Sequence, residues 1–274
     1  MLQQPKRRMR FTAKANGQAA RLASTPLVLL AGGQSKRMGR LKGLLPMPPI
    51  VSGIARAAEQ TFLEWQLGRF AAAGGTRAVV VLGWRSDDYL DRLPELAALA
   101  TPDGGPWSGV GQVIIARNLA PERGSFSSLV TGLEAAGALT EGDVSPPGCF
   151  VLPIDVPAPM TSVWSALASA GCPRDGAVTP RAPVEHGGHG GHPVLLGDMF
   201  ARRLVAVDPA DPEARLDRQL GKLSEAQRRF VTLSGDQLMS MAIGLNLNTP
   251  DDWAAWTAEL AALTGAADEA RRGT

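Results

Sequence analysis

The sequence predicts an α/β fold: a wound, mostly parallel sheet in three layers, with helices on both faces. Three observations lead there. Short continuous apolar runs recur at residues 27–31, 78–83 and 149–154, the pattern of strands covered on both sides. Runs with helical spacing alternate with them, the order of successive βαβ units. The chain has 274 residues, 45% of them hydrophobic, enough to bury one full core without disulfide or metal staples.

In order, the first 25 residues hold Lys6, Arg7, Arg8, Arg10, Lys14 and Arg21 and no acid. They read as a basic, disordered extension over 1–25, because Arg7-Arg8 lacks the apolar run that an export signal needs. Leu27 to Ala31 is the first buried strand. Residues 57–73 place Phe62, Trp65, Leu67 and Phe70 near helical spacing and stop at Gly74-Gly75, so a helix is expected. A strand at 78–83, a helix at 87–100 and a Gly/Pro-rich surface loop at 101–111 follow. Val113-Ile114-Ile115 reads as a strand, 127–136 as a helix and 149–154 as the next buried strand. Thr249, Pro250 and Asp252 take the N-cap, first and third positions of a closing helix, whose acids suit the helix dipole. One domain over 26–265 is expected, with a flexible tail at 266–274.

Charge and cysteine content narrow the classes of function. The whole chain has 28 Lys and Arg against 26 Asp and Glu. Residues 26–274 therefore carry 22 basic and 26 acidic side chains, a balance that argues against nucleic acid as a partner. Cys149 and Cys172 lack C-x-x-C spacing, so reduced thiols in a cytoplasmic protein are expected, with Cys149 as core filler. No run long enough for a membrane span and no internal repeat is present.

Chemistry concentrates where the first strand ends, in Leu30-Ala31-Gly32-Gly33-Gln34-Ser35-Lys36-Arg37-Met38-Gly39-Arg40-Leu41-Lys42. The glycines let backbone N–H groups approach a phosphate, and Arg37 and Lys42 add charge the backbone lacks. A P-loop needs four residues between its glycines and then Lys-Ser or Lys-Thr, and the dinucleotide fingerprint needs G-x-G-x-x-G; neither spacing occurs here. A second position is Asp155, at the end of the 149–154 run in Ile154-Asp155-Val156-Pro157. A carboxylate there emerges on the same sheet edge as the glycine loop, where a hard cation would sit.

The run from Leu30 to Leu45 resembles the signature loop of the MobA-like nucleotidyltransferases, the guanylyl- and cytidylyltransferases of the molybdenum cofactor, L-A-G/A-G-x-S-x-R-M-G-x-x-K-x-L-L. The resemblance implies a Rossmann-like fold of the nucleotide-diphospho-sugar transferase type. It also implies a nucleotide site of Leu30, Ala31, Gly32, Gly33, Ser35, Arg37 and Lys42, with Asp155 as the Mg2+ ligand. Gly124 to Leu133 is similar to the family's G-x-S-S-S-L-x-x-G-L segment, with Phe126 at the middle serine. It adds Ser127 and Ser128 beside the base; for Ser127 an N-cap is the alternative. Asn118, just past a strand, is a further candidate nucleotide contact.

Two later segments extend the likeness. Gly191-His192-Pro193-Val194-Leu195-Leu196 resembles the cytidylyl branch's G-H-P-V-L-F, which implies His192 in the acceptor pocket. His186 and His189 read as polar loop groups. Leu245 to Trp253 resembles the N-x-N-T-P-E-D ending that completes the metal and acceptor site. Asn246 and Asn248, two apart on an expected strand, would face the active edge together, Asn246 toward the acceptor and Asn248 as a neutral metal ligand. Residues 47–60 and the loop around Trp107 depart from the family pattern.

Together these readings predict Mg2+-dependent transfer of a nucleotide from GTP or CTP to a small phosphorylated acceptor, foremost of the molybdopterin type, with pyrophosphate released. Arg37, Lys42 and Asp155 are the expected catalytic groups. A sugar-phosphate or other small-phosphate nucleotidyltransferase is the second enzyme reading, and a non-catalytic nucleotide-binding regulatory domain the third. The sequence is silent on oligomeric state.

Overall fold

The structure is a computed structural model that describes residues 17, 19–48, 60–139, 148–184, 188, 190–233 and 244–272. Its strands are β1 (Leu27–Leu30), β2 (Arg77–Leu82), β3 (Gly105–Trp107), β4 (Val110–Arg117), β5 (Cys149–Pro153), β6 (Ala177–Arg181), β7 (Val194–Leu196) and β8 (Arg228–Thr232). Its α-helices are α1 (Phe62–Ala72), α2 (Ser86–Arg92), α3 (Pro94–Ala97), α4 (Ser125–Ala138), α5 (Thr161–Ser169), α6 (Asp198–Val205), α7 (Leu216–Gly221) and α8 (Pro250–Arg272). One sheet runs β3-β4-β2-β1-β5-β7-β6-β8. β1 pairs in parallel with β2 and β5, β2 with β4, and β6 with β8. β3 is antiparallel to β4, and β7 to both β5 and β6. This is the expected α/β architecture.

The unbroken apolar run of β1 has a direct cause. Leu27 and Leu29 point into one core with Phe62, Phe70 and Trp164, while Val28 points into the other with Val79, Val81, Leu129 and Phe200. Alternate side chains thus meet opposite helical layers, and neither face tolerates a polar residue. α4 lies close on the second face because Gly132 has no side chain. A Cβ there would stand 2.4 Å from Val28 Cγ1 and 2.7 Å from Val81 Cγ2. On the first face Phe62 packs edge-on to Trp253 and Trp256, with centroids 5.0 and 5.4 Å away. That contact docks α8 against α1.

Several boundaries differ from the sequence reading. α1 starts at Phe62, because Thr61 and Glu64 form a reciprocal capping box; residues 49–59 lie outside the described part. The helix expected over 87–100 divides into α2 and α3 at Pro94, which cannot continue a preceding helix. The expected surface loop over 101–111 contains β3 and the start of β4, joined through Ser108 and Gly109 at φ 48° and 83°. Two consecutive positive φ values suit a tight hairpin, and Pro106 is tolerated because β3 is an edge strand.

The termini also differ. Residues 19–24 are helical, Leu22 is buried, and the Thr76 hydroxyl donates to the Ala23 carbonyl at 2.6 Å. The expected disordered extension over 1–25 is therefore wrong at its inner end. Residues 1–16 are outside the described part. At the other end α8 continues to Arg272, through most of the stretch expected as a tail. No described helix is long and apolar enough to cross a membrane.

Candidate active site

Parallel pairing of β1 with β2 and β5 puts three chain exits on one edge. Ala31 N–H donates to Val81 O at 2.8 Å and Ile154 N–H to Leu30 O at 2.9 Å, so the register persists past the strand ends. The glycine loop then crosses the end of β2. Trp84 N–H donates to Gly32 O at 3.1 Å, and a Cβ on Gly83 would stand 2.7 Å from that same oxygen. Glycine at both 32 and 83 is what allows this backbone approach. The loop turns at Ser35, φ 52°, and its hydroxyl accepts from Lys42 N–H at 3.3 Å.

Lys42 opens a 3-10 turn, Lys42–Leu44, and its ammonium reaches across the edge. It donates to Asp155 Oδ2 at 3.3 Å and to Asn248 Oδ1 at 2.9 Å. The loop, the end of β5 and the segment before α8 thereby converge on one point. Asn248 is held from behind. Asp252 Oδ2 accepts from the amides of Asn248 and Thr249 at 2.9 and 2.8 Å, and Asp252 N–H donates to Thr249 Oγ1 at 3.2 Å. The Thr249 hydrogen bonds, those of the backbone amides and Arg37 hold the Asp252 carboxyl below its usual range. Residues 245–248 form no strand, contrary to the expectation. Leu247 N–H donates to Asp155 O at 2.8 Å, and Leu247 is buried between Asn246 and Asn248. The period of two survives without the ladder.

A cleft of about 1130 Å³ opens over this edge, lined by Leu30, Gly32, Gly33, Ser35, Arg37, Lys42, Ser128, Asp155, His192 and Asn246 among others. Those ten expected site residues therefore come together. Ala31, Asn118 and Ser127 are not part of that lining, and Asn248 meets it only through the Lys42 ammonium. Asn118 is buried and donates from Nδ2 to Ser127 Oγ at 2.8 Å and Ser128 Oγ at 2.9 Å, while its Oδ1 accepts from Ala120 N–H at 3.0 Å. Its amide is committed to the scaffold. Ser127 is not the N-cap of α4: Gly124, φ 91°, takes that place, and the Ser127 hydroxyl donates back to Gly124 O at 2.7 Å.

His192 Nδ1 stands 3.3 Å from Val151 O, and burial pushes its imidazole below the ordinary pKa against that contact and Asp155. A neutral ring donating from Nδ1 leaves Nε2 as an acceptor. His186 and His189 lie outside the described residues. Trp84, and Arg215 with Asp217, which form a bidentate pair at 3.0 Å, also line the cleft and were not signalled by any motif. An aromatic just after a strand was the available clue for Trp84; Arg-Leu-Asp is too common on surfaces to read.

Among the described residues no cluster of three or more His, Cys, Asp or Glu could cage a metal. Asp155 and Asn248 instead present a carboxylate and an amide oxygen to one cation, the Lys42 ammonium. Hard oxygen donors of this number fit magnesium, which takes its remaining ligands from phosphates and water.

The MobA-like NTP transferase domain family matches residues 27–228. No curated protein matches the chain. Among solved structures, the Mycobacterium sp. strain JC1 homolog of Mycobacterium tuberculosis rv0371c is 20% identical, with 88% of this chain and 98% of that one covered at a TM-score of 0.59. The M. tuberculosis Rv0371C complex with manganese is 19% identical, covering 84% and 96% at 0.52. Molybdopterin-guanine dinucleotide biosynthesis protein A from Archaeoglobus fulgidus is 18% identical, covering 88% and 99% at 0.53. These likenesses are of fold.

Proposed function

The chain belongs to the MobA-like NTP transferase family and is a nucleotidyltransferase; from that premise we propose magnesium-dependent transfer of a nucleotide from GTP or CTP to a molybdopterin-type phosphate, with pyrophosphate released. The observation that carries this reading is the convergence of Asp155 and Asn248 on the Lys42 ammonium, at a cleft that Gly32 and Gly33 also line. The name of the A. fulgidus neighbour, a molybdopterin-guanine dinucleotide biosynthesis protein, supports the acceptor, and the manganese complex of the M. tuberculosis neighbour supports a divalent ion.

The reaction needs little from the protein beyond alignment and charge. An acceptor phosphate is already ionised at neutral pH, so no side chain has to generate the nucleophile. The amides of Gly32 and Gly33 face the phosphates, and Arg37 and Lys42 brace them against the growing charge on the leaving pyrophosphate. Asp155 and Asn248 would hold the metal, which when bound neutralises phosphate charge. His192 and Asn246 would orient the acceptor from the opposite wall. The free Cys149 and Cys172 support a cytoplasmic location, and no nucleic-acid or membrane partner is proposed.

Pyrophosphate release from each nucleoside triphosphate, with molybdopterin and with sugar phosphates as acceptors, tests the reading. Turnover with GTP or CTP and molybdopterin is expected, falling at least about 1000-fold in Asp155→Ala with an unchanged melting temperature. Full activity in that variant, or nucleotide binding without turnover in every combination, would overturn it.

A further inference from the structure

Beside the cleft lies a second cavity of about 560 Å³, sharing His192, Leu216, Asp217 and Asn246 with it and continuing to Thr179 and Arg228 on β6 and β8. In the parallel register Ala177 faces Arg228, Thr179 faces Phe230 and Arg181 faces Thr232. Alternation puts Thr179, Arg181, Arg228 and Phe230 on one face of the sheet. The guanidinium carbons of Arg181 and Arg228 lie 3.6 and 4.9 Å from the Phe230 ring centroid. Phe230 thus carries two like charges.

Two donors of the cavity lining have no partner among the described residues, the Thr179 hydroxyl, with Thr179 2% exposed, and the buried Nε of Arg228, and the buried Nε of Arg181, on the same face at Phe230, has none either. Burial and the neighbouring Arg181 depress the Arg228 pKa, the sign of unneutralised positive charge. Asp217, the acid on the shared rim, is tied to Arg215. Arg229 turns to the other face and donates to the carbonyls of Ala170 and Gly171. Buried donors without acceptors next to paired cations are what an oxyanion site looks like before its ligand arrives. We propose that this annex binds an anionic group that the acceptor carries remote from its reacting phosphate. The inference rests on the acceptor lying on the His192 side of the cleft.

Calorimetry on the full chain, with magnesium and a non-hydrolysable α,β-methylene triphosphate bound, tests it directly. Two matched probe series are titrated, ω-carboxyalkyl phosphates and ω-hydroxyalkyl phosphates of increasing chain length. At one length the carboxylate is expected to bind about tenfold more tightly than its hydroxyl partner. Arg228→Met should abolish that preference and Thr179→Val reduce it, with Arg228→Lys retaining part and triphosphate affinity unchanged in all three. Equal binding of both series at every length, or a preference that survives Arg228→Met, would overturn the proposal. Failure of the triphosphate itself to bind would instead overturn the nucleotidyl-transfer reaction proposed above, so the two failures are distinct.

Discussion

The Tyr89 hydroxyl, deep in the first core, accepts the Gly43 amide at 3.2 Å, one residue beyond the lysine that joins the three segments of the cleft. A Cβ on Gly43 would stand 2.8 Å from the Tyr89 ring, so the turn rests directly on that ring. Tyr89→Phe keeps the ring and strands a buried N–H. Stability should fall by about 1–3 kcal/mol, read from urea unfolding. Because Lys42 loses part of its support, kcat for pyrophosphate release should fall more than the melting temperature alone accounts for.

Alkaline sensitivity follows from the same burial. Desolvation raises Tyr89 from 10.0 to about 12, and Cys149 and Cys172 each from 9.0 to about 12. A raised folded-state pKa contributes stability that is complete below the unfolded value and lost as pH climbs to the folded one. The loss should therefore begin near pH 9 with the thiols, steepen near 10 with the phenol and finish near 12. Each group removes at most about 1.4 kcal/mol per pH unit. Urea midpoints measured upward from pH 8 check this. Cys149→Ala should flatten the slope above pH 9.

The crossing of the glycine loop over β2 predicts an order of severity. In Gly32→Ala the new methyl meets Ser128 Oγ at 2.7 Å, a side-chain atom that can give way by breaking its bond to Asn118. In Gly83→Ala it meets the Gly32 carbonyl oxygen at 2.7 Å and the Gly32 Cα at 3.0 Å, which cannot move without shifting the loop. Gly83→Ala should cost about 1–3 kcal/mol of stability and weaken triphosphate binding more than Gly32→Ala does. Calorimetry with the non-hydrolysable triphosphate ranks them.

What could be read in advance follows a physical division. Leu27–Leu30 and Cys149–Pro153 were visible because both faces are buried, which leaves an unbroken apolar run. Lys42 and Asp155 stood out because a cation after a glycine loop and a carboxylate at a strand end were each expected on one sheet edge, where the structure brings them to 3.3 Å of one another. The part Asn118 takes was not legible, since a polar residue after a strand looks the same whether its amide faces a ligand or, as here, bonds Ser127 and Ser128. β8 escaped because Arg228, Arg229, Phe230 and Val231 have no clean alternation: its arginines serve opposite faces, one toward the annex and one toward the Ala170 carbonyl. The β3–β4 hairpin was hidden by Pro106, which an edge strand accommodates.

Asn248 offers the sharpest test of how the cation site is built. Its amide oxygen shares the Lys42 ammonium with Asp155, so the point where the three meet already selects positive charge. Asn248→Asp places a second carboxylate there with almost no change in volume. Lys42 gains a stronger partner, and an incoming divalent ion gains a charged ligand in place of a neutral one. Two opposed outcomes follow for binding and rate. Metal affinity, measured by calorimetry with manganese in the presence of the non-hydrolysable triphosphate, should rise about tenfold. The rate should fall, because Lys42 is held more tightly to the two carboxylates and is less free to brace the phosphates. A lower rate with unchanged manganese affinity would mean that Asn248 positions Lys42 alone. A higher affinity would make it a ligand in its own right, with Asp252, bonded to its backbone amide, as the residue that aims it.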